Sequence, residues 1–234
     1  MKWILSVILF SAMPIVNPTS TNTPIPSNLV VAEFVASPVS LDSRHPSAEW
    51  QRAAPISFCS DWQGRQSDPS RKTTVRVLWD RETIYLHFDC SYRELFVFPD
   101  SDPSGRRDKL WDRDVAEVFL QPDPSVGHYY KEFEVSPNGM WIDLDISPQG
   151  LADLKSGMRR SVWLDEGAHM WSAELAIPIR SITPHFSPTV EWRINLFRVE
   201  GNTEPRFYSA WQPTNTPQPN FHVPSAFGYL NFHS

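Results

Sequence analysis

Proline sets the first limit on this chain: 22 of its 234 residues are Pro, against 9 Gly. A proline ring removes a backbone donor and clashes with the preceding helical turn, and in a sheet it is confined to edges and bulges. Prolines at this density leave room only for short elements joined by many loops. Between them the apolar residues recur with a period of two. Val75, Val77 and Trp79 alternate with Thr74 and Arg76, and Ile84, Leu86 and Phe88 alternate with Tyr85, His87 and Asp89. That alternation marks half-buried strands. Val115, Glu117 and Phe119 make one face of a further strand. Lys131–Ile146 reads as a hairpin turning at Pro137-Asn138-Gly139, and Ser161–Pro178 as another turning near Asp165-Glu166-Gly167. Helical signals amount to one or two short turns, at Leu151–Met158 and at Ile179–Ile182. Many short strands with regular turns predict an all-β fold, a two-sheet antiparallel β-sandwich of jelly-roll-like form.

The N-terminus carries a different pattern. Residues 1–13 form a signal-like segment, with Lys2 ahead of the apolar run Trp3–Phe10. The run suits a signal peptide and is too short to span a bilayer stably. Residues 14–28 are a Pro/Ser/Thr-rich linker, and residues 29–234 read as one domain. These segments predict an exported protein, periplasmic, cell-surface or secreted, with no stable membrane insertion once the signal is removed. In an oxidising compartment Cys59 and Cys90 form an even pair. Two readings stand for them: a disulfide, or two buried thiols acting as small apolar groups. The formal net charge of -6 repels phosphate backbones, so nucleic acid is not an expected partner.

Two stretches concentrate the residue types that recognise polar ligands. Asp100–Glu117 is a charged loop running into a strand, and it supplies Trp111 as an aromatic platform beside Asp112, Asp114 and Glu117 as acceptors. Sugar hydroxyls call for that mixture, with stacking for affinity and charged acceptors for orientation. Near the C-terminus, Tyr208 and Trp211 precede a Pro/Asn/Thr loop carrying Asn220 and His222. The spacing Asp100-x-Asp102-x-Ser104-Gly105 resembles the opening of a calcium loop, although Trp111 stands where such a loop has its closing Glu. A plain turn explains the same residues. Asp114, Glu117, Glu132 and Asp143 are the carboxylates a glycosidase would need, but acidic residues two apart in a strand ordinarily mark a solvated face. No nucleophile-elbow or zinc-protease motif accompanies them, so no enzyme activity is expected. Met140, Met158 and Met170, with seven His, supply haem-ligand atoms but form no evident axial pair.

Four segments together resemble the family 9 carbohydrate-binding modules, in the DOMON-like sandwich superfamily: Trp111–Pro124 (WDRDVAEVFLQPDP), Lys131–Gly139 (KEFEVSPNG), Trp171–Pro178 (WSAELAIP) and Ala226–Phe232 (AFGYLNF). The resemblance implies a β-sandwich that binds carbohydrate without catalysis, at sugar-chain ends, in support of polysaccharide breakdown. In that family two tryptophans sandwich a terminal sugar ring. The resemblance assigns these to Trp111 and Trp211, with Glu117 as hydroxyl acceptor, Lys131 as a stand-in for a basic residue and Tyr208 in the place of an amide. It also implies an oligo- or polysaccharide partner, a separate glycoside hydrolase to work beside, and no cofactor beyond a structural calcium at Asp100, Asp102 and Ser104. A sandwich that has lost sugar binding and serves as an envelope interaction domain is the alternative.

Overall fold

The structure, a computed structural model, describes residues 27–102 and 104–234. The signal-like segment and all but the end of the linker lie outside the described residues. The first strands are β1 (Leu29–Phe34), β2 (Ile56–Phe58), β3 (Thr73–Trp79) and β4 (Thr83–Ser91). Next come β5 (Val115–Gln121), β6 (Tyr130–Val135), β7 (Trp141–Ser147) and β8 (Gly150–Asp153). β9 (Arg159–Asp165) and β10 (Met170–Pro178) lead into the short helix α1 (Ile179–Ile182). The chain closes with β11 (Trp192–Glu200), β12 (Phe207–Ala210) and β13 (Gly228–His233).

These strands form one curled, hydrogen-bonded path, β8-β7-β6-β5-β11-β13-β1-β3-β4-β10-β9, with β12 on β11 and β2 on β3. Curling stacks the β5–β6–β11 layer on the β3–β4–β10 layer. The all-β sandwich is as expected; its two layers are continuous instead of separate, and they are joined through β1. That strand pairs in parallel with β13 (Leu29 opposite Tyr229) and with β3 (Glu33 opposite Leu78), while the other pairs are antiparallel. A parallel pair needs a long crossover. The segment between β1 and β2 supplies it, packing Val35, Val39, Trp50 and Ala53 over the outer face of β3, β4 and β10.

The main core lies between the layers. Val75 and Val77 of β3, Leu86 and Phe88 of β4, and Trp171, Ala173 and Leu175 of β10 meet Ala116, Val118 and Leu120 of β5, Phe133 and Val135 of β6, and Ile194 and Leu196 of β11. Every second residue of each strand is therefore spent on this core, as period-two geometry requires. The outer face of the β5–β6–β11 layer is also buried. Val115, Phe119, Tyr130, Phe197 and Val199 pack there under Leu110, Phe221 and Phe227. This second covered face holds the site.

Of the two short helical turns expected, one forms and one does not. Ile179–Ile182 is helical, with Ile179 and Ile182 buried. Leu151–Met158 is not: Gly150–Asp153 is the exposed edge strand β8, pairing Leu151 with Ile146. Lys155 at φ 56° and Gly157 at φ 76° then take left-handed conformations that no α-helix propagates. A disulfide between Cys59 and Cys90 is likewise not formed, and both are free thiols. Phe58 of β2 and Cys90 of β4 both pair with Thr73, from opposite sides of β3. Strands two apart lie about 9–10 Å from each other, beyond the ~7 Å Cα separation a disulfide tolerates. Cys90 is fully buried in the core, where burial raises its thiol pKa to about 12. Cys59 is half-buried, with its Sγ 3.2 Å from Ser67 Oγ.

On the outer face of β4 and β10, His87 bridges two carboxylates. Its Nδ1 lies 3.3 Å from Glu174 Oε1 and its Nε2 lies 3.1 Å from Asp89 Oδ1. Trp50 Nε1 donates to the same Glu174 oxygen at 2.7 Å, which ties the crossover segment to β10. Burial alone would lower the His87 pKa; the hydrogen bonds and charges of Asp89 and Glu174 outweigh it and raise it to about 9. A pKa above the unfolded value near 6.5 means stabilisation that is complete below about pH 6.5 and is lost as pH rises through 9.

Two outcomes are expected. The unfolding free energy, measured in urea across pH 6 to 10, falls by at most about 3 kcal/mol over that window, and His87→Gln removes most of the fall. A thiol-reactive dye labels Cys59 alone in the native protein and both cysteines in denaturant. Two equally fast thiols in the native state would contradict the burial of Cys90.

Candidate functional site

The outer face of β5 and β6 carries three glutamates. Glu117 stands directly opposite Glu134 across the β5–β6 ladder, and Glu132 is two residues from Glu134 on the same face. The alternation that sends Val118, Phe133 and Val135 into the main core sends these carboxylates the other way. Loops cover them: Glu117 is 2% exposed, Glu132 3% and Glu134 0%. Burial first, and then the charge of the neighbouring carboxylates on Glu117 and Glu134, holds these carboxyls above the usual carboxylate range; burial does the same for Glu132.

Above Glu117 and Glu132 opens a cleft of about 610 Å³, its solvent-filled mouth included. Phe119 and Val199 continue its floor, and Trp111, Tyr208 and Arg206 stand around it with Leu151 and the Pro219–His222 segment. Trp111 sits in a single 3-10 turn, Leu110–Asp112, anchored by the fully buried Leu110. Arg206 Nη1 donates to the Trp111 carbonyl oxygen at 2.7 Å, while Arg206 Nε donates to Glu204 at 3.1 Å. Tyr208 donates its hydroxyl to the same Glu204 oxygen at 2.6 Å, and the Arg206 guanidinium lies 4.9 Å from the Tyr208 ring centre. Burial and the Glu204 bond push the Tyr208 phenol up to about 12, so its hydroxyl keeps its proton at neutral pH. Phe221 stacks on Phe197 at 4.1 Å and fixes the far wall. His222 Nδ1 lies 2.7 Å from the Tyr130 hydroxyl.

The structure brings Trp111, Glu117 and Tyr208 together and leaves the other expected site residues elsewhere. Trp211 does not line the cleft. It is three positions after Tyr208 along an extended chain, so it points to the opposite side and packs against the main core. A Cβ placed on Gly228 would come within 2.6 Å of its ring. Lys131 is also on the wrong face: it pairs with Leu120, whose side chain enters the main core, and its Nζ lies 2.5 Å from Asp145 Oδ1. Asp114 is fully buried and braces two loops, accepting from Gly201 N at 2.7 Å and Phe96 N at 3.2 Å. Asp102 closes a turn. Its Oδ1 accepts from Ser104 N, Ser104 Oγ and Arg106 N at 2.6–3.0 Å, while Asp100 faces Arg107 at 3.9 Å. Asp102 Oδ1 and the Ser104 hydroxyl are thus engaged in a self-contained turn beside two arginines. Met140 belongs to the outer cluster and Met158 to the main core, so the sheet separates them.

Glu134 and Arg206 are the residues the sequence reading missed, and Glu132 was singled out only as a carboxylate a glycosidase would need. Their alternation with Phe133 and Val135 does place both glutamates on the face of Glu117. The rule that acidic residues two apart mark a solvated face fails here because a loop layer covers that face.

Among the described residues no helix is long and apolar enough to cross a membrane. Residues 41–234 match the family described as carbohydrate family 9 binding domain-like. An "Extracellular protein" of the fungus Arthroderma benhamiae is 27% identical over 227 residues, spanning 88% of this chain and 98% of its own length. A Bacteroides uniformis protein of proposed carbohydrate-binding role superposes with a TM-score of 0.66 at 16% identity, covering 88% of this chain and 99% of that one. A family 9 carbohydrate-binding module of Caldicellulosiruptor kristjanssonii, solved with cellotriose, superposes at 0.62 and 12% identity, covering 88% of this chain and 94% of its own. The match across residues 41–234 makes this chain a member of the carbohydrate family 9 binding domain-like family.

Proposed function

We propose that this protein binds carbohydrate, without catalysis, in the cleft between Trp111 and Tyr208. The observation that carries the reading is the pairing of those two aromatic rings at the rim with Glu117 and Glu132 at the floor of one cleft. A pyranose has an apolar C–H face and a ring of hydroxyls, and the cleft offers an aromatic surface for the first and carboxyl oxygens for the second. Arg206 adds a donor at the same wall. The solved family relative holds cellotriose in one structure and glucose in another, which supports a glucan-type ligand for this cleft.

The placement of the carboxylates argues against hydrolysis. A glycosidase sets its two carboxyls on opposite sides of the scissile bond. Glu117 and Glu132 instead lie on one face of two adjacent strands, side by side beneath the ligand. The module therefore acts by holding sugar, and we place it in an exported context, beside a separate glycoside hydrolase that benefits from the raised local concentration. The extracellular fungal relative supports that placement.

Calorimetry of the folded protein against glucose, cello- and xylo-oligosaccharides is expected to give dissociation constants of roughly micromolar to millimolar, about -8 to -4 kcal/mol. Trp111→Ala and Tyr208→Ala each weaken binding at least tenfold while the protein stays folded. Retained affinity in both variants would refute the cleft. Silence across the panel from folded wild-type protein would favour an interaction domain that has lost sugar binding. Trp211→Ala gives the opposite signature, a loss of about 2–3 kcal/mol of stability through a core cavity with sugar affinity kept.

A further inference from the structure

The glutamates beneath the cleft pose an electrostatic problem that sugar binding does not solve. Glu117, Glu132 and Glu134 each offer a carboxylate oxygen, and these oxygens all lie within 4.8 Å of one another. Glu134 is wholly buried and neither of its oxygens meets a donor, and Oε2 of Glu132 has none either. Burying a charged group without a partner costs several kcal/mol. No hydrogen bond from the cationic and imidazole groups nearby reaches these oxygens. His222 Nδ1 stays 3.9 Å from Glu132 Oε2 while lying 2.7 Å from the Tyr130 hydroxyl. Arg206 spends Nη1 on the Trp111 carbonyl and Nε on Glu204.

We propose that Glu117, Glu132 and Glu134 together bind one hard divalent cation, calcium in the first instance, at the floor of the cleft. The donor set is all carboxylate oxygen, which suits calcium, magnesium or manganese and disfavours softer metals. Calcium–oxygen distances of 2.3–2.6 Å place opposite ligands about 4.6–5.2 Å apart, so oxygens within 4.8 Å of one another fit around a shared ion. Monodentate or bidentate coordination from three carboxylates supplies three to six of the six to eight oxygens calcium takes. Glu117 and Glu132 line the cleft, so the remaining positions face it and take water or the hydroxyls of a ligand. The ion supplies the partner that Glu134 lacks. This site is separate from the Asp100–Ser104 turn, and it does not depend on the sugar reading, because its test uses metal ions alone.

The test takes the full chain, stripped with a chelator, and titrates it with calcium by calorimetry and with terbium by luminescence sensitised from tryptophan. One ion per chain is expected, with a thermal midpoint that rises with calcium. Glu134→Gln and Glu132→Gln each weaken binding at least tenfold, and Asp102→Asn binds as wild type. Absence of saturable binding by folded wild-type protein overturns the proposal and leaves protons as the neutralising species. Binding that survives both glutamine variants, or that Asp102→Asn abolishes, overturns it too. Should Glu134→Gln not fold, Glu132→Gln and the terbium lifetime decide: few bound waters fit the buried triad, and a nearly full hydration shell rules it out.

Discussion

Burial of the outer face of β5 and β6 is the constraint on which the rest of the molecule turns. A sheet that is covered on one side has a solvated face, and acidic residues sit there at no cost. Here both sides are covered, so three glutamates lie in a low-dielectric environment where like charges directly opposite each other destabilise the ladder. The fold has to offset that cost, and it does so on the other face of the same strands. Ala116, Val118 and Leu120 alternate with Glu117 along β5, and Phe133 and Val135 alternate with Glu132 and Glu134 along β6; all five are fully buried in the main core. Each strand thus carries stability on one side and chemistry on the other, and a slip of one residue in register would exchange the two.

The cover over that face is built from loops, and its rigidity comes from a chain of local contacts. Leu110 anchors the turn that presents Trp111, Arg206 clamps the carbonyl of that same Trp111, and Glu204 ties Arg206 to Tyr208. Asp114 joins the loop before β5 to the one after β11 through two backbone amides. A cleft wall made of loops would otherwise lose affinity to ordering entropy on binding. These ties place much of that ordering in the folded state, before any ligand arrives.

The strands were legible because period two is a local signal, carried by Val75, Val77 and Trp79 and by Ile84, Leu86 and Phe88. The same period also told which face each residue takes. Applied from Tyr208 to Trp211 and, within β6, from Glu132 to Lys131, it separates residues that the family resemblance had grouped: Trp211 and Lys131 both fall on the core side. The burial of Glu132 and Glu134 was not legible. Alternation reports direction, whereas burial depends on which loop lies above, here the Leu110–Asp112 turn against β6 and, over Glu132, residues 219–222, far along the chain. The parallel seam at β1 was hidden for the same reason, since its partners β3 and β13 are chosen by the curl of the whole sheet.

Trp211 shows how the site and the closure of the fold are linked. Its amide donates to Leu196 O at 2.9 Å on β11, and its ring sits where a side chain on Gly228 would stand. Gly228 opens β13, the strand that joins β11 to β1 and so connects the two layers. Only a residue without a Cβ lets the ring approach that closely. Tyr208 lies three positions earlier on the strand that Trp211 terminates, pointing into the cleft. The ring that packs over Gly228 thus follows directly on the strand that presents Tyr208 to the cleft, on the opposite side of the chain. An aromatic pair that looks like a two-sided clamp in sequence is divided by the fold into one residue that lines the cleft and one that packs against the core.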